Sequence, residues 1–282
     1  MSEVKTAVFP VAGLGARFLP VTKAIPKEML PIIDKPLIQY AAEEVVAAGI
    51  KTLVFVTGKN KRAIEDHFDA NLELDRLLMA AGKLQAADRV RNILPPEVQC
   101  IFVRQEAPLG LGHAVLCAER VVGPNPFLVV LADDFLPVLG TSVSDELIKA
   151  YASTKKTQLS VVRVPSEQSV MYGMVEVGKS NSEVLGLIEK PDLSQAPSDL
   201  ASIGRYIFTP DIFALIKRLE PDKVGEIQLA DAIDQQAKKG HVKFIEYKGH
   251  RFDCGSVSGY VDAILHEAKE RKMKPSPLCF NP

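Results

Sequence analysis

Apolar runs and helical patterns alternate along the first half of the chain. Continuous apolar, β-branched runs predict strands that are buried on both faces, and apolar residues at helical spacing predict helices between them. The predicted strands are Thr6–Ala12, Thr52–Thr57, Cys100–Arg104 and Phe127–Ala132, and the predicted helical segments are Pro36–Gly49, Lys61–Leu94 with breaks near Asn71 and Gly82, and His113–Val122. This order predicts a doubly wound α/β sheet with right-handed crossovers.

The second half has a different pattern, in which short strands are separated by loops rather than by regular helices. The predicted strands are Ser160–Val164, Gly173–Val177, Val184–Glu189, Ser202–Phe208 and Val242–Tyr247, and the predicted helices are Pro210–Leu219, Ile227–Lys239 and Ser258–Lys272. We therefore predict one domain over 1–282 with a Rossmann-like, mixed but mostly parallel sheet flanked by helices. Its first half covers about 1–135, and its second half, which ends in the C-terminal helix, covers about 136–282.

Composition narrows the class of protein. The 282 residues are 47% hydrophobic and 24% charged, enough apolar content for a sizeable core, and the net charge of -1 argues against general nucleic-acid binding. No apolar run approaches the roughly 18 residues of a membrane span, and no signal peptide is evident. The four cysteines (Cys100, Cys117, Cys254 and Cys279) lack metal-ligand spacing, as in a protein with reduced thiols. We expect a cytoplasmic protein whose partners include neither nucleic acid nor a membrane.

The stretch GLGARFLPVTKAIPKEMLP begins at Gly13 and follows the first predicted strand. The N–H groups of Gly13 and Gly15 are suited to an anion-binding nest. Arg17 is able to grip phosphate oxygens as a bidentate fork, whereas Lys27 acts as a point charge. This combination suits a nucleoside triphosphate whose pyrophosphate must leave, and the plain alternative is a surface turn with solvated charges.

Two better-known nucleotide loops do not match this stretch. A dinucleotide-binding loop needs a third glycine where this chain has Phe18, and a Walker loop needs a GK[ST] sequence that does not follow. An NAD-dependent oxidoreductase is therefore disfavoured. Lys23 has no assigned role, and we expect it to be a peripheral charge.

Two aspartates are candidate metal ligands. Asp133 comes at the carboxyl end of the strand FLVVLA, where ligands bind in open α/β sheets. A carboxylate beside phosphates is a natural ligand for Mg²⁺, and Asp253 in FDCG is the best partner from the second half. Each aspartate alone is more often a turn or cap residue, and Asp134 competes with Asp133 for the metal.

The dipeptide Glu189–Lys190 ends the strand Val184–Glu189 and precedes Pro191. Because the residue before proline is pushed away from helical geometry, we expect extended backbone at Lys190. The carboxylate suits sugar hydroxyls and the ammonium suits a sugar phosphate, although such a pair is usually solvated. His113 is expected to be a loop or helix-start residue, and no motif supports a nucleophilic hydrolase.

The glycine loop and the sequence after it, GLGARFLPVTKAIPKEMLPIIDKPLIQYAAEE, resemble the N-terminal signature of the bacterial UTP–glucose-1-phosphate uridylyltransferases, or UDP-glucose pyrophosphorylases, a sugar nucleotidyltransferase family. The likeness continues in family order through QEAPLGLGHAVLCA, LADD, YGMVEV, IEKP, IGRYIF, GEIQLADAI and FDCGSVSGY. It covers nearly the whole chain.

The resemblance implies that UTP and glucose 1-phosphate react to give UDP-glucose and pyrophosphate with Mg²⁺ as cofactor, in a homo-oligomer that is a dimer or a tetramer. It also implies roles for individual residues. Ala12, Gly13, Gly15 and Glu28 match nucleotide contacts, Gln105 and Gly110 match uracil contacts, Arg17 and Lys27 match the cations on the triphosphate, Asp133 and Asp253 match the metal pair, and Gly173, Glu189 and Lys190 match the glucose 1-phosphate site, which Gly204 and Arg205 are expected to line.

Two departures from the family pattern are present. Ala16 stands where the family often has threonine, and LADDF replaces an LPDV-type strand end, which adds Asp134. The nearest alternative function is glucose-1-phosphate thymidylyltransferase, because uracil and thymine differ by one methyl group. A non-catalytic regulatory relative of the same fold is the alternative from another class.

Overall fold

The computed structural model describes residues 3–138, 140–179 and 182–273, and Cys279 lies outside them. In this part of the chain the strands are β1 (Thr6–Pro10), β2 (Pro31–Ile32), β3 (Lys35–Pro36), β4 (Thr52–Thr57), β5 (Gln99–Arg104), β6 (Phe127–Val130), β7 (Asp134–Phe135), β8 (Thr157–Arg163), β9 (Gly173–Val177), β10 (Val184–Glu189), β11 (Leu200–Phe208), β12 (Val242–Glu246) and β13 (Phe252–Asp253). The α-helices are α1 (Leu37–Ala47), α2 (Arg62–Phe68), α3 (Leu72–Ala80), α4 (Leu84–Arg91), α5 (Gly110–Cys117), α6 (Glu119–Val122), α7 (Val143–Thr154), α8 (Ile212–Ile216), α9 (Leu229–Ala237) and α10 (Val257–Glu270).

Nine of the described strands form one sheet in the order β10-β9-β11-β6-β1-β4-β5, with β8 beside β11 and β12 beside β8. Strands β1, β4, β5 and β6 are parallel, and β11 joins β6 in the antiparallel sense. Through the remaining pairings, seven of the nine strands run in one direction and only β10 and β11 oppose them. The predicted mixed, mostly parallel sheet with flanking helices is confirmed.

Both faces of the sheet are covered, which explains the uninterrupted apolar runs. Successive residues of β1 enter two different cores: Val8 packs with α5 and α9 residues on one face, and Ala7 and Phe9 pack with α1 residues on the other. A strand in which apolar and polar residues alternated would bury polar side chains in one of these two cores. No helix in the described ranges has the length and apolar content needed to cross a membrane.

Most predicted elements are present with small shifts at their ends, but the short β2–β3 pair and three further features were not predicted. Helix α7 begins after Ser142, whose Oγ accepts a hydrogen bond from the Asp145 N–H at 3.1 Å, and it buries Leu147 and Tyr151. The helix predicted from His113 begins earlier, at Gly110. The two-residue strands β7 and β13 also form a small antiparallel pair, which lies at the site described next.

Candidate active site

The glycine loop follows β1 and lines a pocket of about 400 Å³ at the carboxyl end of that strand. Gly15 has a positive φ of 67°, and a Cβ there would lie 3.1 Å from Cγ2 of Thr22, so the turn requires glycine. The Thr22 hydroxyl donates to the Gly15 carbonyl at 2.8 Å, which fixes the turn. Ala12 and Gly13 also line this pocket, and the space beside Gly13 is open. The loop therefore presents main chain to the pocket, and its contact with a nucleotide stays a prediction.

Phe18 stands where a dinucleotide loop has its third glycine, and its ring contacts the C-terminal helix. The ring packs edge-to-face on Tyr260 of α10 at 5.7 Å, and the Tyr260 hydroxyl donates to the Pro31 carbonyl at 2.7 Å. A third glycine serves close packing of a helix behind the loop. Here only a short 3-10 turn follows, and the loop is held from the other half of the chain instead.

Lys27 and Asp133 form an ion pair that links the loop to the end of β6. Lys27 Nζ lies 2.6 Å from Asp133 Oδ2, and both side chains are mostly buried. Burial alone would lower the pKa of Lys27, but the carboxylates of Asp133 and Glu28 raise it above the usual 10.5. Burial alone would raise the pKa of Asp133, but Lys27 outweighs it and holds that pKa below 3.8. Both groups are therefore charged near neutral pH.

Asp253 is brought beside Asp133 by the small β7–β13 pair. Register places Asp253 opposite Asp134, and the Cys254 N–H donates to the Asp133 carbonyl at 2.8 Å. A Cβ on Gly255 would lie 2.9 Å from Asp253 Oδ1 and 3.0 Å from Asp133 Oδ2. The two carboxylates thus face one small space that any side chain at Gly255 would fill. Arg17 Nη1 lies at the margin of this space, 3.8 Å from the position that a Cβ on Gly255 would occupy.

This space fits the donor set of Mg²⁺. The ion is usually held by one or two carboxylates, with substrate phosphates and water completing its shell. Within the described residues no cluster of three or more metal-ligating side chains exists, so Asp133 and Asp253 would need a phosphate ligand to complete such a site. Because Asp133 Oδ2 contacts Lys27, a cation bound there would share that carboxylate with the ammonium.

Asp134 has different surroundings from its neighbour. Its Oδ2 accepts from the Gly204 N–H at 2.7 Å, and its Oδ1 accepts from Arg251 Nε at 2.7 Å. The Arg251 guanidinium lies over the Tyr172 ring, 4.7 Å from its centroid. Burial and the Asp133 charge outweigh Arg251 and raise the pKa of Asp134. Both oxygens of Asp134 thus serve the protein, and Arg251, whose role the sequence analysis missed, is identified only by this contact.

The sugar-phosphate candidates lie at the β9–β10 edge. Register pairs Gly173 with Glu189, and a Cβ on Gly173 would lie 3.1 Å from Glu189 Oε2. Lys190 Nζ lies 3.5 Å from Glu189 Oε1, and its side chain is 58% exposed. The expectation of extended backbone at Lys190 is wrong, because φ is 44° and its N–H donates to the Tyr172 carbonyl at 3.0 Å. Tertiary contacts override the local preference of a residue before proline.

Arg205 does not line this site with its side chain, which corrects the prediction. Its guanidinium is buried and forms an ion pair with Glu44 of α1, Nη2 to Oε2 at 2.8 Å. Nη1 donates to the carbonyls of Leu131 and Gly204, and Nη2 also donates to the carbonyl of Asp134. With Nε on Glu44, all five N–H donors are used. Gly204 is close to the site instead, since its N–H binds Asp134.

Glu28 also differs from the expected nucleotide contact. Its carboxylate is buried under the loop, 2.7 Å from Lys61 Nζ, and the exposed fractions are 2% and 4%. Burial raises the pKa of Glu28, and Lys61 and Lys27 offset only part of that rise. Glu28 therefore supports the loop from below rather than lining the pocket. No sequence signal pointed to Lys61, which precedes α2 and is distant along the chain.

The far end of the pocket is formed by Gln105 and the first turn of α5. The Gln105 side chain is buried, and its Nε2 lies 3.2 Å from the Gly110 carbonyl oxygen. Gly110 has a φ of 87°, and a Cβ there would lie 2.8 Å from Cβ of Glu226. The first N–H groups of a helix have no partners within that helix, and here the Gly112 N–H donates to the Ile227 carbonyl at 2.8 Å. Both predicted uracil contacts lie in one pocket with the glycine loop.

The chain is similar to several known proteins. A UTP–glucose-1-phosphate uridylyltransferase of Pseudomonas aeruginosa is 44% identical over 92% of this chain and 94% of its own, and one of Haemophilus ducreyi is 46% identical over 92% and 91%. A UTP-bound UGPase of Acinetobacter baumannii superposes with a TM-score of 0.87 at 40% identity over 95% and 94%. A UDP-glucose pyrophosphorylase complexed with UDP-glucose gives 0.85 at 42% identity over 95% and 100%.

A more distant structure, described as a putative glucose-1-phosphate thymidylyltransferase from Bacillus anthracis, has a TM-score of 0.72 at 20% identity and shares the fold alone. The family model described as nucleotidyl transferase matches residues 7–270, which includes the glycine loop, the carboxylate pair and the β9–β10 edge. The chain therefore belongs to the nucleotidyl transferase family.

Proposed function

We propose that the chain transfers the uridylyl group of UTP to glucose 1-phosphate and releases pyrophosphate, with UDP-glucose as the product. The observation that carries this proposal is the convergence of Lys27, Asp133 and Asp253 beside a glycine loop that presents main chain to the pocket. The relatives of known activity, at 44% and 46% identity over most of the chain, support UTP as the nucleotide.

The reaction needs no nucleophile from the protein. A phosphate oxygen of glucose 1-phosphate attacks the α-phosphorus of UTP while the bond to the pyrophosphate oxygen breaks, so the work of the site is positioning and charge neutralisation. Arg17 and Lys27 stabilise the charge that develops on pyrophosphate. When bound at Asp133 and Asp253, Mg²⁺ would supply Lewis-acid polarisation of the phosphate oxygens.

The β9–β10 edge suits the sugar phosphate. Glu189 offers a carboxylate that accepts hydrogen bonds from sugar hydroxyls, and Lys190 offers an exposed ammonium for the phosphate. Gly173 leaves space beside the Glu189 carboxylate. Lys190 would thereby hold two mutually repelling anions together before the attack.

A pyrophosphate-release assay tests the proposal. The purified chain is given UTP, dTTP, CTP, ATP or GTP with glucose 1-phosphate or galactose 1-phosphate, with and without Mg²⁺. Highest kcat/KM for UTP with glucose 1-phosphate supports the proposal, and preference for dTTP would support the thymidylyltransferase instead. Absence of turnover in every pair would support a non-catalytic relative, although Arg17, Lys27, Asp133, Lys190 and Asp253 are all present.

We also propose that the protein acts in the cytoplasm as a homo-oligomer. Free thiols at Cys100, Cys117 and Cys254 support a reducing compartment. Helix α10 exposes the apolar side chains of Val257, Val261 and Leu265, spaced four residues apart on one side. Light scattering coupled to size exclusion tests this, and a mass of 30.8 kDa for the purified chain would contradict it.

A further inference from the structure

The amide of Gln105 is held by two acceptors at once. Its Nε2 lies 3.2 Å from the Gly110 carbonyl oxygen and 3.0 Å from His113 Nδ1, and the residue is only 7% exposed. Its main-chain N–H donates to the Thr57 carbonyl at 2.8 Å, which fixes the backbone just after β5. Gln105 is thus held by the tip of the neighbouring strand β4 and by the first turn of α5.

These contacts decide which way the amide faces. The Gly110 carbonyl is only an acceptor, so the nitrogen and not the oxygen of the amide must be beside it. With both N–H groups of Nε2 directed to acceptors, His113 Nδ1 carries no proton and the imidazole proton lies on Nε2. No hydrogen bond within the described residues uses Gln105 Oε1, and Gln105 lines the nucleotide pocket. The group available to a ligand is therefore an acceptor.

We infer that His113 is a specificity-determining residue that positions Gln105 to select a pyrimidine with an N–H at N3. Uracil and thymine carry that donor, whereas N3 of cytosine is a lone-pair acceptor that would face the Gln105 oxygen. Two acceptors that face each other in a buried site cannot form a hydrogen bond. Such a site discriminates strongly against cytosine, because a buried polar group without a partner costs binding free energy. The inference rests on the proposed function, since it takes Gln105 to meet the base.

His113 is needed beside Gly110 for a geometric reason. The amide has two N–H groups, and the Gly110 carbonyl at 3.2 Å satisfies only one of them. Without an acceptor at position 113 the second N–H group would have no partner in a buried site. Turning the amide over would then become less costly, and Gln105 would offer N–H donors to N3 of cytosine.

Two variants separate the acceptor from the bulk of the imidazole ring. His113→Phe keeps a ring but has no acceptor, and His113→Asn places Oδ1 where Nδ1 stands. For wild type and both variants, kcat/KM is measured for UTP, dTTP and CTP with glucose 1-phosphate, and Kd is measured for the same nucleotides alone by calorimetry. The melting temperature of each variant is recorded alongside.

His113→Phe should lower the UTP-over-CTP ratio roughly 3- to 10-fold, the range that one neutral hydrogen bond provides. The UTP-over-dTTP ratio should not change, because both bases carry N3–H, and His113→Asn should restore selectivity against CTP. An unchanged UTP-over-CTP ratio in His113→Phe overturns the inference. An equal fall in kcat/KM for UTP, dTTP and CTP also overturns it.

Failure of the proposed function gives a different result. A wild type that binds UTP but releases no pyrophosphate contradicts the proposed activity, while the ratio of Kd values for UTP and CTP still judges His113. A wild type that binds neither nucleotide contradicts both.

Discussion

The glycine loop with the end of β6 and the β9–β10 edge each carry a lysine beside a carboxylate, but they hold it differently. Lys27 is 21% exposed and lies 2.6 Å from Asp133, whereas Lys190 is 58% exposed and lies 3.5 Å from Glu189. The first pair joins two elements that are distant along the chain, and the second joins neighbouring residues at the end of β10.

The difference indicates how each lysine works. A partly buried ion pair is weakly screened and sets the geometry of its surroundings before any ligand arrives. An exposed pair contributes little to stability, so its ammonium is available to an incoming phosphate. The Lys27–Asp133 pair is therefore held in place by the fold itself, whereas the Glu189–Lys190 pair is not.

The largest expected effect is on turnover when Asp133 is replaced. Asp133→Ala should lower kcat/KM by roughly 10²-fold or more, about 2.7 kcal/mol in transition-state stabilisation, because it removes half of the carboxylate pair. Steady-state kinetics across a Mg²⁺ titration measure this. Near-normal turnover would remove Asp133 from the mechanism.

Lys190→Ala tests the other region and should lower kcat/KM by roughly 10²-fold. Because Lys190 is exposed and lies at the β9–β10 edge, where we propose that glucose 1-phosphate binds, UTP binding by calorimetry and the melting temperature should stay close to the wild-type values. Lys190→Arg is the matched control that keeps the charge. A large loss of UTP affinity in Lys190→Ala would contradict the division into two regions.

Asp134→Asn should lower the free energy of unfolding and leave the Mg²⁺ dependence of activity unchanged. It replaces one of two accepting oxygens with an NH2 group that faces a donor, either the Gly204 N–H or Arg251, and we expect the free energy of unfolding to fall by about 2 kcal/mol, as for a buried donor left without a partner. Chemical denaturation measures this. The Mg²⁺ concentration for half-maximal activity should be unchanged in Asp134→Asn and raised in Asp133→Asn. The reverse result would identify Asp134 as the ligand.

The Lys27–Asp133 pair should make the stability of the fold depend on pH. The pKa of Asp133 lies below 3.8 and that of Lys27 above 10.5, so the pair stabilises the fold between those limits. Its contribution is lost as pH falls through the pKa of Asp133 in the folded state, or rises through that of Lys27. The stability difference between wild type and Lys27→Met should therefore be present near neutral pH and disappear in acid.

Lys190→Met is the matched control for that experiment. Because its pair is exposed, the stability difference from wild type should be small at every pH. An acid-dependent difference as large as that of Lys27→Met would contradict the contrast between the two regions.

The smallest expected effect is that of Lys23→Ala. Lys23 is exposed in a short 3-10 turn of the glycine loop, and surface substitutions usually change stability by less than about 0.5 kcal/mol. Turnover and the KM for UTP should stay near wild type. A clear rise in that KM would assign Lys23 to the triphosphate together with Arg17.

Much of the fold and part of the site could be predicted because they depend on local pattern. The strand Thr52–Thr57 has the predicted bounds because its apolar run has no alternative but burial on both faces. Helix α7 was not predicted, although Ser142 and the acidic first turn were a readable start signal. Lys190 was predicted as extended, because a local rule for proline cannot include the bond to the Tyr172 carbonyl.

The sequence alone determined the alternation of strands and helices, the glycine turn and the identity of the charged residues, since these follow from side-chain period and chemistry at each position. Only the tertiary structure decided which charges meet. Arg205 was expected to line the sugar-phosphate site, yet its guanidinium is buried on Glu44, and Arg251, which the sequence did not single out, pairs with Asp134. Asp133 and Asp134 are adjacent, but successive residues at a strand end face different partners: Asp133 lies beside Lys27 and near Asp253, and Asp134 binds Gly204 and Arg251.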